Sequence, residues 1–329
     1  MSPDVTLLML NAGRRIELLR AFRRAFEALS LSGRIVTTDV TELAPAWHEG
    51  DAAHLLPRSA DPAFADALTR ICSEEHVSLV IPLIDPDLLP LAQHREMIES
   101  SGARVLVSNA RAIEICRDKS TTCRVLAEHG FPVPREFSPD QARHHGFPVF
   151  LKPRRGSASQ NVFKINNPRE LDFFSQYVSE PLIQEFLDGD EVTTDVFSDW
   201  SGRPVVAVPR KRLKTRGGEV SIACVELDPE LEDLCTRIAT MLGTVGPINI
   251  QAMRSTSGTK VTEINPRFGG GCPLSINAGA PLAEWAVQLA MGRPLPTSPP
   301  PVNDGLTMMR FDDSIFIAAS PVRNKRPLV

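Results

Sequence analysis

The stretch that most constrains this chain is Val261 to Gly271, which reads Val-Thr-Glu-Ile-Asn-Pro-Arg-Phe-Gly-Gly-Gly. Its first half alternates apolar and polar residues and carries β-branched side chains, the pattern of a half-buried strand. Successive strand residues point to opposite faces, so Glu263, Asn265 and Arg267 are expected on one face. Pro266 removes a backbone donor and Gly269 to Gly271 break regular structure, which ends the strand where a ligand would sit. Carboxylate and amide oxygens are the ligands that Mg²⁺ prefers, with nucleotide phosphates completing the set. The planar fork of Arg267 suits those phosphates.

A partner strand lies just upstream. Ile248 to Met253 is another short apolar run, and Ser255-Thr256-Ser257-Gly258 reads as a hairpin turn leading back into Val261. Gln251 is therefore expected beside Glu263. An edge hairpin with polar residues facing water would account for any one of these groups alone. Three oxygen ligands and an arginine converging from two paired strands favour a site.

The chain has 329 residues, 42% of them apolar and 23% charged, with a net charge of -4. That length suggests two or three subdomains with ample core, and the charge gives no sign of a nucleic-acid or anionic-membrane partner. No apolar run approaches the roughly 20 residues of a spanning helix. The N-terminus lacks the basic-then-apolar pattern of a secretory leader. Six scattered cysteines, without a Cys-x-x-Cys pair, read as reduced thiols of a cytoplasmic protein. Cys272 adjoins the central stretch as a candidate nucleophile, but no histidine lies near it in sequence, and a small filler in a glycine-rich turn is the favoured reading.

Taken in order, Val5 to Leu10 reads as a buried strand, turned by Asn11-Ala12-Gly13 into a helix, with Arg34 to Thr38 as the next strand ending at Asp39. This is the outline of a dinucleotide-binding unit, yet only Gly13 stands where three glycines are expected. A parallel sheet kept for packing or for a second substrate is the favoured reading. Helix, strand, helix and strand follow over Phe64 to Glu75, Ser78 to Ile84, Leu88 to Ser100 and Arg104 to Val107, giving a doubly wound first domain. Asp85 and Asp87 fall at the carboxyl end of a strand, where such sheets place ligands, although capping explains Asp87 nearly as well.

Ala110 to His129 reads as one helix, in which Asp118 and Lys119 form a solvated charge pair unless they serve a site. Phe147 to Pro153 is a short strand carrying Lys152 among apolar neighbours. The small polar residues 154–161, with Gly156 and Ser157, offer backbone N–H groups to phosphates, but lack the ending of a Walker loop. Leu182 to Leu187 followed by acidic residues up to Glu191 suits an adenine ring, which wants apolar walls and a few polar groups at its edge. The basic run Arg210 to Arg216 either grips phosphate or is a solvated loop. Pro294 to Pro301 leaves regular structure, and no internal repeat is visible.

The ordered set resembles the ATP-grasp superfamily, and within it one half of a carbamoyl-phosphate synthetase large subunit. The matching pieces are Asp118-Lys119, Phe150-Leu151-Lys152-Pro153, Gln184-Glu185-Phe186-Leu187 with Glu191, Asn249-Ile250-Gln251, and Glu263-Ile264-Asn265-Pro266-Arg267. The resemblance implies ATP and Mg²⁺, with Mn²⁺ as an alternative ion. It implies Lys119, Lys152 and Ser157 at the phosphates, Glu185, Phe186 and Leu187 at adenine, and Glu191 at the ribose. Gln251, Glu263 and Asn265 would hold the metal, and Arg267 with Lys152 would act on the transferred phosphoryl group. The glycine loop departs from the family's longer form, since Gly156 is its only glycine.

The fold the resemblance implies is mixed α/β and α+β. It has a Rossmann-like pre-ATP-grasp domain over residues 1–110, a lid subdomain with its leading helix over 111–187, and a C-terminal antiparallel subdomain over 188–329 carrying the metal site. The implied activity is an ADP-forming carboxylate–amine or carboxylate–thiol ligase working through an acyl-phosphate, with small-molecule substrates and a homodimer left open. Carbamoyl-phosphate synthesis by a single module and ATP binding without turnover are the alternatives. Acceptor specificity would come from strand ends of the first domain, with Asn11, Arg14 and Asp85 as candidates, and from the basic run.

Overall fold

The computed structural model describes residues 3–156 and 160–317. Its first sheet holds five parallel strands, β1 (Val5–Leu10), β2 (Gly33–Asp39), β3 (Ala52–Leu55), β4 (Leu79–Pro82) and β5 (Arg104–Val105), in the order β3-β2-β1-β4-β5. Every residue of β1 is buried, as an apolar run with helices on both sides of its sheet requires. Helices α1 (Ile16–Ala28), α2 (Phe64–Glu74), α3 (Asp85–Gln93) and α4 (Arg95–Glu99) connect these strands. The expected single helix over 88–100 is thus two, and it begins earlier, at Asp85.

Two helices also replace the one expected over 110–129. They are α5 (Ala110–Arg117) and α6 (Lys119–Glu128), broken at Asp118, whose extended backbone and side-chain acceptance from Thr121 N–H make it the cap of α6. A capping aspartate restarts the helix in a new direction at little cost. A four-stranded antiparallel sheet follows, from β6 (Glu136–Phe137), β7 (Val149–Pro153), β8 (Phe163–Ile165) and β9 (Pro181–Glu185), ordered β6-β9-β7-β8. Helices α7 (Pro139–His145) and α8 (Pro168–Tyr177) lie between its strands in sequence, and a small core of Phe137, Leu151, Ile165, Leu171 and Ile183 sits beneath it.

The largest sheet has six antiparallel strands: β10 (Gly189–Ser198), β11 (Pro204–Arg216), β12 (Glu219–Val225), β13 (Gly246–Ser255), β14 (Gly258–Asn265) and β15 (Thr307–Met309), ordered β14-β13-β10-β11-β12-β15. The basic run 210–216 is the far half of β11 and not a loop. Helix α9 (Pro229–Leu242) covers this sheet, while α10 (Cys272–Asn277) and α11 (Leu282–Ala290) turn back to the first one. Phe268, just beyond β14, meets Phe22 of α1 edge to face at 5.9 Å and lies 6.4 Å from Phe197, which in turn packs on Trp285. Such an aromatic contact contributes about 1 kcal/mol beyond its buried area, and here it joins the two ends of the chain in one core. The segment leading into the small sheet is tied to the large one by Val261 N–H, which donates to Pro132 O at 2.9 Å.

Candidate active site

The hairpin β13–β14 forms as its sequence suggests, and its register sets Gln251 opposite Glu263 and Asn249 opposite Asn265. Asn249 was not among the expected ligands. Its Nδ2 donates to the backbone oxygens of Asn265 and Arg267 at 3.3 and 3.2 Å, and its Oδ1 accepts from Asn265 Nδ2 at 3.5 Å. Asn249 therefore orients the Asn265 amide and fastens the turn beyond it. β14 stops at Asn265, where Pro266 ends the ladder, yet Arg267 still faces the same space as Gln251, Glu263 and Asn265. Its guanidinium also donates to Asp85 Oδ2 at 2.7 Å, linking the turn to the start of α3.

Two lysines approach this hairpin from the other side. Lys119, the first residue of α6, is buried; its ammonium donates to Gly156 O at 2.7 Å and lies 3.7 Å from Glu263 Oε2. The solvated Asp118–Lys119 pair is thereby overturned, since Asp118 is also buried and takes Arg154 Nε at 2.7 Å. A cap that is already ion-paired has no need of its sequence neighbour. Lys152 on β7 is 6% exposed and donates to Thr262 O at 3.2 Å. Burial pushes its ammonium below the ordinary lysine value, against the pull of Glu263. Ser157 lies outside the described residues.

These lysines close one end of a cavity of about 370 Å³ whose walls include Phe150, Val162, Phe186, Leu187 and Met253. Glu185 borders it and accepts from Lys260 Nζ at 2.5 Å and from Arg135 N–H at 2.7 Å. Burial raises the Glu185 carboxyl, but these two donors outweigh burial and hold it below the usual carboxylate range. Lys164 stands over the Phe186 ring at 4.1 Å. Glu191 borders the same space and pairs with Arg212 of the basic run.

A second cavity, of about 240 Å³, lies beyond the hairpin and is polar, with Arg15, Asp85, Glu219, Asn265 and Arg267 among its lining. Gln251 and Glu263 line both cavities. Of the acceptor candidates, Asp85 is in this second space. Asn11 is instead bonded to the buried Asp87, with Nδ2 to Oδ2 at 2.7 Å, so Asp87 is neither ligand nor cap. Arg14 is mostly exposed and lies 3.7 Å from Glu219.

The basic run contributes a built floor here and not a free cluster of charge. Arg210 and Asp195 are 2% and 3% exposed and bond twice, at 2.8 and 3.2 Å, with Ser275 Oγ donating to the same carboxylate at 2.7 Å. Although burial works against its charge, Asp195 holds the Arg210 guanidinium above its ordinary value. Lys211 pairs with Asp190 and Arg216 with Asp312, so strand geometry gives these cations partners that a loop would lack.

The three glycines matter for close approach and not for a left-handed backbone. A Cβ on Gly269 would stand 3.1 Å from Asn249 Nδ2, one on Gly270 2.8 Å from Arg15 Nη1, and one on Gly271 would overlap the Arg210 guanidinium. Arg15 was missed because a lone arginine at a helix start carries no pattern. The glycine run was the available signal that side chains would lie against this backbone. Cys272 is 1% exposed and burial pushes its thiol up to about 12, which fits the filler and not the nucleophile. All six cysteines are free.

Residues 178–313 match the family model described as ATP-grasp in the biosynthetic pathway with Ter operon, and residues 7–106 match the PylC-like N-terminal domain. The chain belongs to the ATP-grasp superfamily. This ATP-grasp chain is 27% identical over 240 residues to the carbamoyl phosphate synthase large chain of Rubrobacter xylanophilus, a match covering 66% of this chain and 23% of that one. It is 25% identical over 195 residues to the 3-methyl-D-ornithine–L-lysine ligase of Methanosarcina mazei, covering 57% and 50%. The chain thus spans about a quarter of the first relative's length and half of the second's. Among solved ATP-grasp folds, the biotin carboxylase domain of Hydrogenobacter thermophilus 2-oxoglutarate carboxylase, in complex with MgADP, ADP and bicarbonate, superposes with a TM-score of 0.75. That alignment is 17% identical and covers 93% of this chain and 74% of the other.

The hairpin's donor set suits a hard divalent ion. Among the described residues there is no group of three or more His, Cys, Asp or Glu that would make an all-protein metal cage. One carboxylate and two amide oxygens on alternate rungs of the hairpin would make instead an incomplete shell, of the kind that leaves positions for phosphate oxygens and water.

Proposed function

We propose that this protein is an ATP-dependent, ADP-forming ligase that joins a carboxylate to an amine through an acyl-phosphate. The observation that carries this reading is that Gln251 and Glu263 line both cavities, so that a phosphoryl group passing between them would cross at one carboxylate–amide pair. The apolar cavity would take the adenosine, with Glu185, Phe186 and Leu187 at the base and Glu191 toward the sugar. Lys119 and Lys152 then face the phosphates. Gln251, Glu263 and Asn265 would hold Mg²⁺, or Mn²⁺ in its place, which when bound would neutralise phosphate charge during transfer.

In the first step a carboxylate oxygen of the acid attacks the γ-phosphorus, and the bond from that phosphorus to the β–γ bridging oxygen breaks, releasing ADP. In the second, the amine nitrogen attacks the acyl carbon, the carbon–oxygen bond to phosphate breaks, and the nitrogen loses a proton as phosphate leaves. The chain's share is positioning and charge compensation, because phosphoryl transfer asks for little covalent help. Lys152 is suited to this work. Burial lowers its ammonium more than Glu263 and the weaker influence of Glu136 offset, so an incoming phosphate would favour its charged form and be gripped in return. Arg267, held by Asp85 at the mouth of the second cavity, would meet the transferred phosphoryl group from the acid's side.

The division into a first domain to residue 110, a lid over 111–187 and a catalytic remainder belongs to the same proposal. The small sheet supplies Lys152 and Glu185 and would close over the nucleotide, excluding water from the acyl-phosphate. The relatives' printed activities, an amino-acid ligase and a carbamoyl phosphate synthase, support a carbon–nitrogen product. The test is phosphate release from MgATP against pooled acids crossed with pooled amines, with bicarbonate and ammonia as a separate pair. Release needing both an acid and an amine supports the ligase, and release with bicarbonate and ammonia alone supports carbamoyl-phosphate synthesis. Nucleotide binding with no stimulated release would leave a binding protein.

A further inference from the structure

Among the described residues, one cation lining the second cavity has no ion-pair partner. Arg267 has Asp85, Arg210 has Asp195 and Arg212 has Glu191. Among the described residues Arg15 makes no ion pair or side-chain hydrogen bond, although it lines the same space. Glu219 is the nearest candidate, but its carboxylate is taken by Arg310 at 3.0 Å and approached by Arg14 at 3.7 Å. Burial, then the neighbouring charge of Arg267, push the Arg15 guanidinium below its ordinary value. Two like charges facing one polar cavity, one of them unpartnered, leave an opening for an anion.

The position of Arg15 is built and not incidental. It caps α1 directly after the tight turn at the end of β1, with its own N–H bonded to Ala12 O at 2.9 Å. Its side chain then crosses to the glycine turn, where the missing Cβ of Gly270 makes room for Nη1. A guanidinium that starts from a rigid helix cap and lies against the glycine turn presents a planar set of donors to an oxyanion.

We propose that Arg15 binds a second anionic group of the acid substrate, so that the acid activated in this site is a small molecule bearing two negative groups. This rests on the ligase reading for the first of those groups, the carboxylate to be phosphorylated near Arg267 and the β13–β14 hairpin. The second is a carboxylate or a phosphate ester, since both match the planar fork of the guanidinium. The predominantly polar lining and modest volume of the cavity argue for a compact acid and against a long apolar one.

The test is calorimetric titration of the full chain in MgADP. The probes are short dicarboxylates and phosphate-bearing carboxylates, each beside its monoanionic counterpart. At least one dianionic class should bind the wild-type chain more tightly than its counterpart, and which class does so identifies the oxyanion. Arg15→Met should weaken that acid by about 10- to 100-fold, the scale of a lost charge-assisted bond, and erase the preference. Gly270→Ala should do the same by displacing the guanidinium while leaving every charge in place. A merely structural Arg15 would weaken mono- and dianions alike. Indifference to the second charge in the wild type, or a preference that survives both substitutions, overturns the proposal. Phosphate release with the same acids and pooled amines separates the two readings. Dianion binding at Arg15 without stimulated release sinks the ligase and keeps the subsite, whereas release with an unaltered preference in Arg15→Met does the reverse.

Discussion

Replacing Glu263 by Gln preserves the shape of the hairpin and removes the only carboxylate among the three proposed metal ligands, so it separates charge from packing. In the structure Glu263 Oε2 lies 3.7 Å from Lys119 Nζ, with the two side chains 21% and 9% exposed. At an effective dielectric constant of about 20 that separation corresponds to roughly 4 kcal/mol of attraction, of which the desolvation already suffered by both groups leaves about 1–2 kcal/mol as net stability. Lys152 loses part of its counter-charge as well. The variant should therefore melt at a lower temperature than the wild type without nucleotide. ADP added in the presence of a chelator should restore the difference, because phosphate oxygens replace the missing anion beside both lysines. With Mg²⁺ present the wild type should again melt higher, since the variant can no longer add metal-linked affinity. Turnover should fall by about two to three orders of magnitude, the cost of losing a preorganised electrostatic group. Thermal melting with ADP, with and without Mg²⁺, reads all of this apart from turnover. If the magnesium-dependent increment in melting temperature is the same in both proteins, Glu263 is not a metal ligand and the reasoning fails.

Three further outcomes follow from other buried charges. Asp195→Asn strands the Arg210 guanidinium in the core and should cost about 3–5 kcal/mol in urea unfolding, with Asp195→Asn/Arg210→Met recovering much of that loss. An unchanged midpoint in the single variant would contradict the buried-pair argument. Asp87 is pushed up to about 6, first by burial, with one oxygen bonded to Asn11 and the other without a partner. Because its folded value lies above the unfolded one, it adds instability as pH rises from about 4 to about 6. Asp87→Asn should then be more stable than wild type by about 1–3 kcal/mol at pH 7 and lose that advantage near pH 4, as melting across pH will show. Asp85→Asn should uncouple Arg267 from α3, and a double-mutant cycle with Arg267→Met should return a coupling of about 1–3 kcal/mol; additive effects would refute the latch.

The parts of the molecule legible in the sequence are those set by short-range periodicity. The strand-turn-helix alternation of the first hundred residues and the pairing of Gln251 with Glu263 both follow from side-chain alternation and turn chemistry. What escaped depends on contacts between residues far apart in sequence. Asp118 breaks a helix because Arg154 and Arg155 await it, and Arg267 is held by Asp85, 182 residues away in sequence. The basic run could be read either as a phosphate grip or as a solvated loop because its counter-charges, Asp190, Glu191, Asp195 and Asp312, are scattered over more than a hundred residues. Only strand pairing and the tail beyond β15 bring them alongside.

The bond from Val261 N–H to Pro132 O has a further consequence for how the molecule behaves in company. β14 is an outermost strand of the large sheet, and an uncovered strand there is a template on which another chain can add itself. The segment lying along it carries prolines at 132 and 134, which accept hydrogen bonds but have no N–H with which to extend the ladder. The strand that bears Glu263 is thus shielded by a neighbour that cannot itself recruit the next, and a substitution restoring a donor at Pro132 would invite self-association before it disturbed the chemistry.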